Sequence, residues 1–404
     1  MKKITGTFDI FVQGYDWGCG VSVICLKLDQ KLDSLKKEDV QVLEKKKTTD
    51  FSRIPEFPVI DTESYRTILD AYLTDENGKR TEGPSDSAVI EMACTPAEGS
   101  PLLFNMHTQL NTWSDPYELH VSIDGYETDI DPVYRKKYTS ADMFAEETFT
   151  ASDGTVYRYV HYEPEGGSKV LFVWLHGLGE GGTENTDAYV TVLANKAAVF
   201  AQQNFQETVV KCNVLAVQCP TYWMDDDGKK TNFSGGRINA GRDSYYTESL
   251  LELIEAYKKQ TGSEKVILAG CSNGGYMTMV LTIRRPELFD LCIPVCEALA
   301  DKDITDADIE KIKDKPLYFV YSKDDTTVPP ALHEIPTIRR LLEAGAKDVH
   351  CAASEHVFDK SGTVKGPDGK PYVYMGHWSW IDLYNNDCDA DGLKAFAFIR
   401  DHLK

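Results

Sequence analysis

The chain has 404 residues, 42% of them hydrophobic, and 43 basic against 64 acidic side chains give it a formal net charge of −21. That length suits two domains with a substantial core. The acidic balance argues against nucleic acid and anionic membrane as partners, since both need a basic footprint, and it disfavours highly anionic substrates. No run approaches the ~20 apolar residues of a membrane span. The opening Met1-Lys2-Lys3-Ile4-Thr5 has no apolar stretch behind its lysines and does not read as a signal peptide. The ten cysteines form no C-x-x-C pair, and Cys25, Cys94, Cys292 and Cys296 lie in apolar runs, where a thiol is usually a small buried hydrophobe. The expectation is a cytoplasmic protein with reduced thiols, a secreted form that has lost its signal being left open.

Residues 1–125 carry short strand-like runs, among them Val21–Leu28 and Ser87–Ala93, with an Asp75-Glu76-Asn77-Gly78 turn signal between them. Tyr117–Ile123 alternates apolar and polar positions as a last strand. Short strands separated by turn residues predict a small β-sandwich. Lys36–Lys47 is charge-rich and reads as a solvated face or loop. Residues 126–144 show no clear periodicity and read as a linker. From residue 145 the pattern changes. Thr148–Thr150 and Val156–Tyr162 flank an Asp153-Gly154 turn, and Val170–Leu175 is a fully apolar strand. Strand-like and helical runs then alternate: Asp187–Phe200 helical, Val214–Gln218 strand, Asp243–Gln260 helical, Val266–Ala269 strand, Gly275–Arg284 helical. Leu291–Val295 and Leu317–Tyr321 are strands, Thr337–Ala344 a helix, Val349–Ala353 a strand and Leu393–Leu403 a final helix. This alternation predicts an α/β domain over residues 145–404 with a mostly parallel sheet covered on both faces.

Within it, Val266–Ala269 runs into Gly270-Cys271-Ser272-Asn273-Gly274-Gly275 and then a helix. This is G-x-S-x-G in a strand–turn–helix setting, the nucleophile elbow of an α/β-hydrolase. The turn strains the serine backbone, and Gly270 and Gly274 must lack side chains for strand and helix to approach. Ser272 then stands at a helix N-terminus, where developing negative charge is favoured.

A serine hydroxyl needs a base to take its proton, and in this fold the acid and then the base follow the serine in the chain. Ser322-Lys323-Asp324-Asp325-Thr326-Thr327-Val328-Pro329 follows the Leu317–Tyr321 strand. Two aspartates compete there, and the resemblance to the D-x-x-V-P loop common in this fold selects Asp325 over Asp324. Of the later histidines, His377 in Met375-Gly376-His377-Trp378-Ser379-Trp380 is favoured as base, with His356, at loop distance from the Val349–Ala353 strand, as its rival. An oxyanion needs two preorganised donors. The backbone N–H of Asn273 supplies one, and that of Leu178 in His176-Gly177-Leu178-Gly179-Glu180-Gly181-Gly182 the other. The spacing in that loop fits neither a dinucleotide fingerprint nor a P-loop.

Together, His176–Glu180, Gly270–Gly275, Asp325–Pro329 and Gly376–Trp380 resemble the prolyl-oligopeptidase-like carboxylesterases and the related polyhydroxybutyrate-depolymerase and feruloyl-esterase group, over residues 145–404. Tyr15-Asp16-Trp17-Gly18 and an Asp70-Ala71-Tyr72 turn resemble the immunoglobulin-like domain that precedes some of these esterases. The resemblance implies an immunoglobulin-like β-sandwich followed by an α/β-hydrolase, working as a carboxylesterase without metal or organic cofactor on a small-molecule or glycan-linked ester. Self-association is left open.

Thr221-Tyr222-Trp223-Met224 reads either as an aromatic wall of the substrate pocket, with Trp223 and Trp378 as contacts, or as core packing. Asp387-Cys388-Asp389-Ala390-Asp391-Gly392 starts like a calcium loop, but its twelfth position is Phe398 rather than glutamate. An acidic loop whose aspartate caps the final helix is the stronger reading. A peptidase with the same triad, and an inert binding protein on a hydrolase scaffold, are the alternative functions.

Overall fold

In the first strand, β1 (Lys2–Tyr15), Ile4, Phe8, Ile10 and Val12 are buried and their neighbours less so, the period of two that places one face of a sheet on a core. The computed structural model describes residues 2–182, 187–229 and 241–403. The chain divides into two units, Met1–Asp142 with Leu193–Asn195, and Met143–Val192 with Lys196–Lys404.

In the first unit β1 pairs antiparallel with β2 (Gly18–Leu32). The strands β3 (Val40–Thr49), β4 (Val59–Tyr65), β5 (Ile68–Leu73) and β6 (Ser85–Met92) follow. After them come β7 (Leu102–Asn105), β8 (Leu110–Trp113), β9 (Tyr117–Ile123), β10 (Tyr126–Ile130) and β11 (Lys137–Thr139). One sheet runs β10-β1-β2-β6-β5, with β11 also on β1, and a second runs β4-β3-β9. Ile24 and Ile90 from the first meet Val42, Leu119 and Val121 from the second in one core. This is the expected sandwich, with three corrections. Residues 126–142 are not linker, because β10 and β11 extend the first sheet by pairing parallel with β1. Lys36–Lys47 is not a solvated loop, because Val40, Val42 and Glu44 point inward and make β3 the central strand of its sheet. Asp70-Ala71-Tyr72 lies inside β5 rather than in a turn, since its backbone pairs with Ile90 and its neighbours.

Glu44 is buried because it has a partner that reaches across the core. The Arg66 guanidinium, with no exposed side-chain surface, donates to Glu44 Oε1 at 3.1 Å, to the Val21 carbonyl at 3.0 Å and to the Ala93 carbonyl at 2.7 Å. Tyr117 Oη donates to the same Glu44 oxygen at 2.6 Å. One charged cluster thus links β2, β3 and β9, and so both sheets.

The second unit is built on an eight-stranded sheet ordered β12-β13-β15-β14-β16-β17-β18-β19. Its strands are β12 (Ala145–Thr150), β13 (Val156–Tyr162), β14 (Val170–Leu175) and β15 (Asn213–Gln218). The rest are β16 (Lys265–Cys271), β17 (Leu291–Val295), β18 (Leu317–Ser322) and β19 (Val349–Ser354). β12 and β13 are antiparallel additions at one edge, and the other six are parallel. The central strands are buried on both faces, hence their unbroken apolar runs. Among the described residues the helices are α1 (Val190–Leu193), α2 (Gln203–Thr208), α3 (Thr247–Thr261), α4 (Asn273–Arg284), α5 (Asp306–Ile312), α6 (Glu334–Glu343), α7 (Trp380–Tyr384) and α8 (Ala395–His402). The helix expected over Asp187–Phe200 is only α1 and a separate 3-10 turn at Ala197–Ala201. No helix among the described residues is long and apolar enough to cross a membrane.

The Glu44–Arg66 pair sets a stability prediction. Glu44→Ala leaves a buried guanidinium without its main counter-charge, so urea unfolding of the full chain should show the first unit destabilised by about 3 kcal/mol or more. A loss below about 1 kcal/mol would mean that the pair is not what holds Arg66 between the sheets.

Candidate active site

Strand β16 ends at Cys271 and helix α4 begins at Asn273, leaving Ser272 alone to turn the chain. Its φ of 55° and ψ of −116° form a conformation that a non-glycine residue holds only when its surroundings enforce it. Two hydrogen bonds enforce it: the Ser272 N–H donates to the Val295 carbonyl on β17, and its own carbonyl accepts from Tyr276 N–H, both at 2.9 Å. The flanking glycines have a steric cause. A Cβ on Gly270 would lie 2.5 Å from the Gly274 carbonyl oxygen, and one on Gly274 would collide with the Leu175 carbonyl of β14.

The expected acid, Asp325, lies in the turn after β18. The Asp325 side chain is fully buried, and its Oδ1 accepts from the Thr327 and Val328 N–H groups at 2.8 and 2.9 Å. Its Oδ2 lies 2.8 Å from His377 Nδ1, and His377 Nε2 lies 2.8 Å from Ser272 Oγ. A carboxylate on one side makes Nδ1 the donor, so Nε2 is the acceptor for the serine hydroxyl. Trp380 meets the imidazole edge-on, with centroids 5.7 Å apart.

The rival residues pair with each other instead. His356 Nδ1 lies 2.7 Å from Asp324 Oδ2, and Ser322 Oγ donates to Asp324 Oδ1 at 2.5 Å. Both His356 and Asp324 are exposed to solvent. Partial burial pushes the Asp324 carboxyl up, but the hydrogen bonds from Ser322 and His356 outweigh it and hold it below the usual range. The backbone of Gly376 lies against the turn after β18. A Cβ there would come within 2.8 Å of the Asp324 carbonyl oxygen, so the base-bearing turn is seated on the acid loop.

The two expected oxyanion donors stand on adjacent strands. Leu178 opens a 3-10 turn after β14, Asn273 opens α4 after β16, and Leu175 is in register with Gly270. A Cβ on Gly177 would lie 3.9 Å from the Cys271 carbonyl oxygen, so the two loops lie side by side. Trp223 is corrected. It is wholly buried, its ring 5.3 Å from His176 and 6.3 Å from Tyr246, and it offers no surface to a substrate. Its backbone N–H instead donates to Asn273 Oδ1 at 2.6 Å. Trp378 is half-buried and stacks on Tyr374 and Trp380. The Asp387 carboxylate pairs with Lys360 and Lys394, and it is Asn386 Oδ1, not an aspartate, that accepts from the first turn of α8 at Phe396 N–H.

His176, which opens the Gly-rich loop after β14, fixes the geometry of that loop. His176 is fully buried; its Nδ1 donates to the Gly177 carbonyl at 2.5 Å and its Nε2 accepts from Cys219 N–H at 2.9 Å. The neutral ring bridges two loops, and burial pushes its pKa down to about 4.

Comparison with known proteins agrees with this architecture. Residues 8–131 match the family model described as the esterase Ig-like N-terminal domain. A thermostable esterase of known crystal structure is 24% identical, with 96% of this chain and 97% of that chain covered and a TM-score of 0.69. Est1E from Butyrivibrio proteoclasticus is 15% identical (52% of this chain, 87% of that one, TM-score 0.35), and a ferulic acid esterase is 12% identical (64% and 98%, TM-score 0.41). These last two likenesses are too loose to bear on the fold. No curated protein sequence matches the chain. The protein has the α/β-hydrolase fold. Its first unit is an immunoglobulin-like domain of the kind that precedes the hydrolase unit in esterases.

His176 yields a pH prediction. Its folded pKa of about 4 lies below the unfolded value of about 6.5, so the unfolded chain binds a proton first and stability falls as pH drops between those values. The full contribution is about 3 kcal/mol. His176→Gln should show a shallower decline in unfolding free energy from pH 6.5 to 4 than the wild type. Parallel curves would show that His176 does not stay neutral in the fold.

Proposed function

We propose that the protein is a serine carboxylesterase working through Ser272, His377 and Asp325. The carrying observation is the position of one imidazole, 2.8 Å from both Ser272 Oγ and Asp325 Oδ2. Ser272 Oγ attacks the ester carbonyl while His377 Nε2 takes its proton, and Asp325 holds the ring in the required tautomer and offsets the charge it gains. The Leu178 and Asn273 N–H groups are the donors for the oxyanion. Among the described residues neither amide has a hydrogen-bond partner, which suits groups reserved for a transient charge. His377 then hands its proton to the leaving alkoxide, an acyl-Ser272 remains, and a water activated by the same nitrogen releases the acid. Cleavage of an ester rather than a peptide is supported by the esterase description of the domain model matched at residues 8–131 and by the likeness to a thermostable esterase along nearly the whole chain. Trp378, half-buried one residue from the base, is the aromatic contact for a small-molecule or glycan-linked ester.

Hydrolysis of p-nitrophenyl esters of graded chain length, beside methyl ferulate and a peptide amide, tests the reading, with a fluorophosphonate probe reporting the serine directly. Ser272→Ala should abolish labelling and leave less than about 1% of turnover, nucleophile removal typically costing ~10⁴–10⁶-fold. Faster cleavage of the peptide amide than of every ester would replace esterase by peptidase.

The neighbouring pairs separate equally well. Asp325→Asn should lower kcat by about 10⁴-fold and His377→Ala should abolish turnover. Asp324→Asn and His356→Ala should retain most of it, because that pair is exposed and does not touch Ser272. The reverse ranking in kcat would move the acid and base to Asp324 and His356.

A further inference from the structure

Asn273 lends a backbone N–H to the proposed chemistry, but its side chain has no part in it. That side chain is buried. Its Oδ1 accepts from the Trp223 N–H at 2.6 Å, and its Nδ2, shut off from solvent, has no hydrogen-bond partner among the described residues. A buried amide donor left unmet is costly. A leucine has nearly the same shape and would carry no such donor, so packing alone does not account for an asparagine here. What leucine lacks is the acceptor for Trp223 N–H.

Trp223 lies in a loop after β15 that is held from several sides. Thr221 Oγ1 donates to Asp225 Oδ2 at 2.6 Å and, with its proton so placed, accepts from Tyr246 Oη at 2.8 Å. The Asp225 carbonyl accepts from Tyr245 N–H at 2.9 Å. The same loop also holds the segment that bears the other expected donor. Cys219 N–H donates to His176 Nε2 at 2.9 Å, and the Cys219 carbonyl accepts from Gly182 N–H at 2.8 Å, so residues 176–182 are gripped at both ends. His176 Nδ1 in turn donates to the Gly177 carbonyl at 2.5 Å, and the Trp223 ring lies against the imidazole, with centroids 5.3 Å apart. The Gly177 carbonyl and the Leu178 N–H belong to one peptide unit, which is trans. In a planar trans peptide the two groups point in opposite directions. A bond that fixes the oxygen therefore fixes the direction of the N–H.

Both amides are thus tied to one loop, Leu178 through His176 and Asn273 through its own side chain. We propose that the Asn273 side chain is a positioning group, and that its bond to Trp223 N–H sets the Asn273 N–H at the spacing from the Leu178 N–H that an oxyanion requires. The inference rests on the esterase reading for the anion the two amides serve. An N–H kept free for a transient charge cannot anchor its own residue, and here the side chain supplies the anchor. Donors held in place before the charge develops need no reorganisation when it does, which is the source of their effect on rate.

The test compares the full-length wild type with Asn273→Leu, which keeps the shape and removes the acceptor. kcat and KM are measured for a p-nitrophenyl ester, with active enzyme counted by complete labelling with a fluorophosphonate, so that loss of fold is not read as loss of kcat. Calorimetry gives the Kd of phenylboronic acid, which adds the serine oxygen to boron and forms a tetrahedral anion like that of the reaction. Asn273→Leu should lower kcat about 10- to 100-fold, the scale of a reacting group misplaced by about 1 Å. It should raise the boronate Kd by a similar factor and change KM far less. A side chain that served only the fold would lower the active fraction and leave kcat per active site and the boronate Kd where they were. A change in kcat or in Kd well below ten-fold would therefore overturn the proposal and leave the esterase reading standing. Should Asn273→Leu fail to fold, Asn273→Ala, which adds no bulk, carries the same expectation. Failure of both to fold would make the bond a requirement of the fold and overturn the proposal. A wild type that binds the boronate but cleaves no ester would sink the esterase reading, and the ratio of Kd values would then decide the proposal. A wild type that takes neither boronate nor fluorophosphonate would overturn both.

Discussion

Strand β16 and helix α4 meet so closely that residues 270 and 274 have no room for side chains, and the geometry of the site follows from that contact. Gly274 lies against the carbonyls of Leu175 and His176, and Gly270 against the carbonyl of Gly274. With the chain forced through so sharp a reversal, Ser272 takes a positive φ, and its hydroxyl stands at the first turn of α4 rather than in the sheet. The strain is held by backbone hydrogen bonds to neighbouring parts of the fold, which is how strained residues persist at functional sites. The parallel register does the rest: Leu175 beside Gly270 and Cys271 beside Val295 bring three loops out at the same edge of the sheet.

The same fold meets the problem of buried charge in three ways. Asp325 stays buried because two backbone N–H groups and an imidazole surround it. Arg66 in the first unit is buried because Glu44 and two carbonyls absorb its donors. His176 is buried by staying neutral, as its Nε2 accepts a backbone N–H where a charged ring would have to donate. In each case the number of satisfied donors and acceptors decides which protonation state the fold accepts, because in a low-dielectric interior an unmet polar group costs more than a met one returns. Glu334 stands apart from these three, neither of its carboxyl oxygens having a hydrogen-bond partner.

The immunoglobulin-like unit has no residue in the proposed chemistry. Its two sheets are joined by apolar burial and by the Glu44–Arg66–Tyr117 cluster, and β10 and β11 are parallel additions to the edge of its larger sheet. Those additions come from residues with too few apolar side chains to show a period, since an edge strand is held by its ladder more than by its burial.

The sequence by itself determined the two-part organisation, the mostly parallel sheet of the second unit and the elbow. These depend on local signals: apolar runs of strand length, glycines two residues either side of a serine, a proline after a helix. Asp325 was also legible, but only through its likeness to a known loop, and His377 only in competition with His356. Tertiary structure alone decided three further matters. The two Asp–His pairs, Asp325 with His377 and Asp324 with His356, have nearly the same hydrogen-bond lengths. Only the first reaches Ser272, because consecutive side chains leave the turn after β18 in different directions. Trp223 passed from pocket wall to core because burial belongs to the assembled fold and is not a property of an aromatic run. The charge-rich Lys36–Lys47 became the middle of a sheet because Glu44 meets an arginine 22 positions further on. A pairing at that distance leaves no mark on local periodicity, so the partner that makes a buried charge tolerable appears only once the chain has folded.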